Sequence, residues 1–288
     1  MASTDTQPLL IPINEKAEEL TLAEEEKATE VTTKVIEKTK AKKPKRSREL
    51  KLEAQNAHLA VVLEAAQTVT GILKARGISC AVFGSLASKL YGCTRHPKDV
   101  DLLVSQADEA LASDPSQDAK PPLTAAQLKT LILDTDPRHF YLKMPRDPTA
   151  DYRILWYRTS YLGPDCKVDI LTPGTLHLPH LKPERVTLMD NIPVVPFSLL
   201  LYQKLQGWDD HCQAEEKYKK QKQQQDAADV KRLLGLKLFI DALVRTNSID
   251  DAELFSEEFR LLTKERVKKY CQAFKRSDDW MRLGFETS

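Results

Sequence analysis

The sequence predicts an α+β fold, in which a small mixed β-sheet is flanked by helices and followed by an α-helical module. Three observations carry this. Up to residue 104 the apolar positions fall in the order helix, strand, helix, strand; three more strand-like runs follow by residue 171; and beyond Pro196 the period is helical. The 288 residues suffice for one or two domains of roughly 100–200 residues together with a tail.

Residues 1–48 hold no hydrophobic period and pass from an acidic run, Glu24 to Glu26, to a basic one around Pro44, which predicts a disordered tail. The stretch from Lys40 to Arg48 has the composition of a nuclear-import signal and equally of an electrostatic arm. From Leu50 the apolar residues Leu52, Leu59, Val62, Leu63, Ala66, Val69 and Leu73 recur at helical spacing, and Gly77 supplies a stop. A short apolar strand over 79–83 runs into Gly84-Ser85 and a helix reaching Tyr91. A turn with Gly92 and Pro97 leads to a second strand over 99–104. Residues 105–122, with three prolines, predict a loop, and Thr124 caps a helix over 124–133. Aromatic and β-branched residues place strands at 139–143 and 152–157, and a last one at 167–171. A proline-punctuated connection follows. Helices are then predicted over 197–208, 214–234 and 237–244, with two more within 255–273. The resulting division is a tail over 1–48, an α/β core over 49–195 and a helical module over 196–288.

The 43 basic and 42 acidic side chains leave a formal charge of +1, so no global field draws the chain to nucleic acid or membrane, and anion binding must be local. Five cysteines without a CxxC pair point to reduced thiols inside a cell. No apolar run approaches the ~20 residues of a membrane span, and the N-terminus lacks the pattern of a signal peptide. The expectation is a soluble intracellular protein, cytoplasmic or nuclear.

The chemistry is concentrated in AVFGSLASKLYGCTRHPKDVDLLVS. Residues two apart in a strand share a face, so Asp99 and Asp101 point together while Val100 and Leu102 point into the core. Two carboxylates on one face repel unless cations sit between them. Hard oxygen ligands suit Mg²⁺ or Mn²⁺, and bridging carboxylates suit two ions roughly 3.5–4 Å apart. Asp169, in KVDIL, alternates with apolar neighbours and supplies a third acid. Gly84 lets backbone approach a ligand, and Ser85 offers a hydroxyl and an amide at a helix start, where phosphate fits. Arg95 meets either phosphate or a surface acid. Trp208, Asp209, Asp210 and His211 mark a helix end, since adjacent helical positions diverge.

A Gly-Ser turn on a helix, an acid-x-acid pair on the next strand and a third acid on a later strand resemble the DNA polymerase beta superfamily of nucleotidyltransferases. More narrowly, GSLASKLYGCTRHPKDVDLLV, DPRHFYLK, YRILWYR, CKVDILTPGT and VVPFSLLLYQKLQGWDDH resemble an uncharacterised group of fungal nucleotidyltransferase-fold proteins. The resemblance covers about residues 55–240. It implies that Asp99, Asp101 and Asp169 bind two metal ions, with Asp169 also helping to activate the attacking hydroxyl. It further implies that Gly84 and Ser85 hold the triphosphate of a nucleoside triphosphate. Lys204 stands where small transferases of the superfamily place a lysine near that triphosphate; its alternative is a snorkelling surface lysine. Asp226 and Asp229 resemble the acidic helix that packs beside the nucleotide, although glutamines depart from the pattern, and Lys222 reads as part of a charged helix face.

Two functions follow from these residues. The first is transfer of a nucleoside monophosphate to a hydroxyl acceptor, which could be an RNA end, a protein or a small molecule. The second is a catalytically silent nucleotide-binding or regulatory protein of the same fold; retention of all three acids favours the first.

Overall fold

A computed structural model describes residues 48–106, 121–145, 147, 149–246 and 248–287. All of the predicted tail except Arg48, and residues 107–120 of the predicted loop, lie outside them. Leu52–Ser288 form one compact unit.

The first helix, α1 (Arg48–Ala75), buries Val61, Val62, Ala65, Ala66, Val69 and Leu73, the stripe its spacing predicts. It stops at Gly77, whose φ of +71° is left-handed, with the Ile78 amide donating to the Leu73 carbonyl. Strand β1 (Ser79–Phe83) follows, then α2 (Gly84–Leu90) and β2 (Asp99–Ser105). Helix α3 (Ala125–Thr135) starts from a capping box in which Thr124 and Gln127 satisfy each other's amides. Next come β3 (Phe140–Lys143), β4 (Ile154–Arg158) and β5 (Asp165–Leu171), each shifted by up to two residues from its predicted limits.

One hairpin, β6 (Thr187–Met189) with β7 (Ile192–Val194), lies inside the proline-punctuated connection, where no strand was predicted. Its strands are three residues long, too short to show alternation. The turn residues Asp190 and Asn191 both have positive φ, 49° and 62°, as a two-residue hairpin turn matching the strand twist requires.

Among the described residues these strands make one seven-stranded mixed sheet in the order β3-β4-β5-β2-β1-β7-β6. The pairings β2/β5 and β1/β7 are parallel and the others antiparallel. One face of the β3-β4-β5-β2 portion is apolar and buried, carrying Phe140, Leu155, Tyr157, Cys166, Val168, Ile170, Val100 and Leu102. The intervening residues stand half-open on the other face, where the polar chemistry collects.

The helical half opens with α4 (Phe197–Gln213), one turn longer than predicted; Asp209 to His211 thus lie inside the helix. The predicted helix over 214–234 is two, α5 (Lys217–Lys220) and α6 (Gln223–Leu234). Lysines at 217, 219, 220 and 222 set like charges three residues apart, which weakens a continuous helix there. Helix α7 (Lys237–Thr246) precedes α8 (Glu257–Phe274), which is capped by Ser256 and continuous where two helices were predicted, and α9 (Ser277–Arg282) closes the chain. The Trp208 ring meets Tyr270 edge-on at 5.1 Å, joining α4 to α8, and the Tyr91 hydroxyl donates to the Val195 carbonyl at 2.8 Å, joining α2 to the end of β7. Among the described residues no helix is long and apolar enough to cross a membrane.

Candidate metal centre

The register of three neighbouring strands assembles the site. On the parallel pair β2/β5, Asp101 lies opposite Asp169 and Asp99 opposite Lys167; on the other side of β2, Asp101 is paired with Phe83, the last residue of β1. All four charged side chains share the half-open face. One carboxylate oxygen from each of Asp99, Asp101 and Asp169 lies within 4.8 Å of the others, the one group of this kind among the described residues.

Gly84 is required here by Asp101. Its φ is +66°, and a Cβ at that position would stand 2.0 Å from Asp101 Oδ2 and 2.9 Å from Cγ, so any side chain would displace the carboxylate. The next residue, Ser85, donates its hydroxyl to Asp99 Oδ1 at 3.3 Å. The Gly-Ser turn thus shapes the acid pair directly, one residue by leaving room and the other by orienting.

Electrostatics within the site are unbalanced. Burial, then the charge of Asp99 and further that of Asp169, push the Asp101 carboxyl up to about 7, against the opposing charges of Lys204 and Lys167. Lys167 Nζ sits 2.5 Å from Asp169 Oδ2. Burial works against that ammonium, but its bond to Asp169 and the charges of Asp169, Asp99 and Asp101 hold it above the usual lysine range. Three hard oxygen donors in mutual reach, a glycine clearing space for one of them, and an Asp101 carboxyl raised by burial and by its acidic neighbours together fit a divalent metal ion.

A second charged cluster adjoins the first. Asp229, on α6 and only 4% exposed, pairs with Arg95 from the turn before β2, with Lys204 of α4 at 3.4 Å and with Arg232 at 2.9 Å. Three cations on one buried carboxylate leave a local excess of positive charge. Lys204 is close enough to the acids for its charge to act on Asp101. The sequence left Arg95 and Lys204 between phosphate and a surface acid or solvent; in the protein both meet a buried acid, and each has capacity to spare. Asp226 bonds His211 at 2.6 Å instead, and Asp209 pairs with Lys269 at 3.1 Å and Arg266 at 3.5 Å.

Sequence reasoning passed over Lys167 and Arg232. Lys167 was findable, because it lies two residues before Asp169 on one strand and must share its face. Arg232 was not, since its place depends on how α6 packs.

No family model matches the sequence, and no curated protein matches it. Among solved structures the chain is similar to an antigenic nucleotidyltransferase-like protein from Paracoccidioides brasiliensis, with 16% identity over 80% of this chain and 94% of that one, and a TM-score of 0.51. At that identity the likeness concerns the fold, which is nucleotidyltransferase-like.

Proposed function

We propose that this chain is a metal-dependent nucleotidyltransferase of the DNA polymerase beta superfamily, transferring a nucleoside monophosphate from a nucleoside triphosphate to a hydroxyl acceptor. The observation that carries the reading is the convergence of Asp99, Asp101 and Asp169 within 4.8 Å on adjacent central strands. Asp99, Asp101 and Asp169 would hold Mg²⁺ or Mn²⁺, two ions, whose charge would offset that developing on the transferred phosphoryl group. Gly84 makes room for the Asp101 carboxylate, Ser85 donates its hydroxyl to Asp99, and the turn they form would meet the triphosphate. Arg95 and Lys204, held in place by Asp229, offer positive charge to the β- and γ-phosphates. Asp169 would accept the proton of the attacking hydroxyl. The new bond joins the acceptor oxygen to the α-phosphorus, the bond from that phosphorus to the β-bridging oxygen breaks, and pyrophosphate leaves. Positioning by the chain supplies much of the rate. The helices after Pro196 carry Lys204 and Asp229 and form a module that completes this site.

The test incubates the full chain with each α-labelled nucleoside triphosphate, Mg²⁺ or Mn²⁺, and a cell extract, beside Asp101→Ala. Label transferred by the wild type and not by the variant supports the reading and reveals the acceptor. Silence of the wild type across broad extracts overturns it in favour of a nucleotide-binding protein that transfers nothing.

A further inference from the structure

The half-open sheet face does not end at the acids. Across the register, Asp99 lies opposite Lys167, Lys167 opposite Trp156, and Trp156 opposite Tyr141, a single row over β2, β5, β4 and β3. At about 4.8 Å between strands the row extends roughly 14 Å from the site to the edge of the sheet. Its neighbours on the same face are Lys143 and Arg158. The Lys143 ammonium stands 3.6 Å from the Trp156 ring centre, and the Arg158 guanidinium lies 5.0 Å from the ring of Tyr141 and 5.1 Å from that of Tyr161. Tyr161, in the β4–β5 turn, is 81% exposed. Beside the strip, Trp156 and Asp165 join His58, His96 and Lys98 in lining a cavity of about 450 Å³, room enough for a nucleobase.

Rings on an open sheet face, interleaved with flexible cations and leading into the candidate site, have the make-up of a surface on which successive bases stack while the phosphates meet lysine and arginine. Along the strip Lys143 pairs with Asp165 at 2.7 Å and Lys167 with Asp169, and the Arg158 guanidinium, which donates to the Arg138 carbonyl, adds a further positive charge. Once bound cations neutralise the triad, that charge suits a polyanion. A small-molecule acceptor would have no use for a row of this length. We infer that the acceptor is the 3′-terminal hydroxyl of a single-stranded nucleic acid, its last bases stacked along Trp156, Tyr141 and Tyr161. The terminal sugar then lies next to Asp99 and Asp169. Lys143 and Arg158, which cover the rings in the free protein, swing outward to the phosphates as the bases take their place. This rests on the transferase reading for the identity of the reacting end, but strand capture can be read without any nucleotide transfer.

The full chain is titrated with labelled ten-nucleotide single strands, one of RNA and one of DNA, and with the matching duplex, at low and moderate salt. Either single strand, or both, should bind more tightly than the duplex, and the two arms tell which sugar is taken. Arg158→Ala with Tyr161→Ala should weaken capture by tenfold or more with the circular dichroism spectrum unchanged. Trp208 and Trp280 are buried, so the strand should quench the emission of Trp156 in particular. Trp156→Phe should therefore bind yet lose the quenching. The inference is overturned if no single strand is captured at low salt, if the duplex binds equally well, or if the double variant captures the strand undiminished, as binding through the basic residues 40–48 alone would produce. Retention of the quenching in Trp156→Phe also overturns it. Failure of labelled transfer with capture intact would strike the transferase reading and leave the strip standing.

Discussion

Gly84 and Asp101 occupy one volume: the space a Cβ on Gly84 would need is filled by the Asp101 carboxylate, 2.0 Å away. Gly84→Ala is therefore expected to push Asp101 out of the triad as well as to strain a left-handed backbone by about 1–2 kcal/mol. Calorimetric titration with Mn²⁺ should show binding weakened by at least tenfold, with a lowered Tm. Unchanged metal affinity in a folded variant would count against Asp101 as a ligand.

Proton linkage follows from the Asp101 carboxyl, which without metal sits at about 7 instead of 3.8. Because the folded value is raised, its contribution to stability is fully present below pH 4 and is lost as pH rises through about 7. In chelator, Tm should decline across that window on this account. Metal needs the carboxylate, so Mn²⁺ affinity should rise with pH up to about 7 and binding at pH 6 should release close to one proton. Titrations in buffers of different ionisation enthalpy measure that number; zero release would sink the assignment.

Lys167 competes with a metal for Asp169, 2.5 Å from its Nζ. Lys167→Met removes the competing charge while keeping an apolar stem. Mn²⁺ binding should tighten about fivefold, the modest gain reflecting a pair about one-third exposed to water. Weaker binding in this variant would mean that the lysine organises the acids rather than opposing a cation.

Asp229 anchors Arg95, Lys204 and Arg232 from a buried position. Asp229→Asn keeps the shape and removes the charge, which leaves those cations uncompensated. A loss of roughly 3 kcal/mol in urea unfolding is expected. Under the transferase reading, affinity for nucleoside triphosphate should fall as well, since Arg95 and Lys204 lose their anchor. A variant as stable as the wild type would show that Asp229 does not hold the cluster.

Legibility in the sequence varied with how local each feature is. The alternation in DVDLL and KVDIL reports which side chains share a face, because a strand's period is two whatever surrounds it, so the place of each acid on its own strand could be read directly. The β6/β7 hairpin escaped notice because three residues cannot display a period, although Asp190-Asn191 is a recognisable turn pair. The break between α5 and α6 escaped for a different reason: a helical period continues through it while charge repulsion interrupts the backbone.

The amino-acid sequence alone therefore determined the α+β class and the pairing of Asp99 with Asp101 on one face. Those are consequences of backbone period and turn geometry, which act over a few residues. Tertiary structure decided that β5 lies parallel beside β2, which sets Asp169 opposite Asp101 from 68 positions further along the chain. It also decided that Arg95, Lys204 and Arg232 share Asp229, and that Trp156 and Tyr141 continue the row from Asp99. Strand order and helix packing result from burying one apolar face against another across the whole chain, and no local pattern records that outcome.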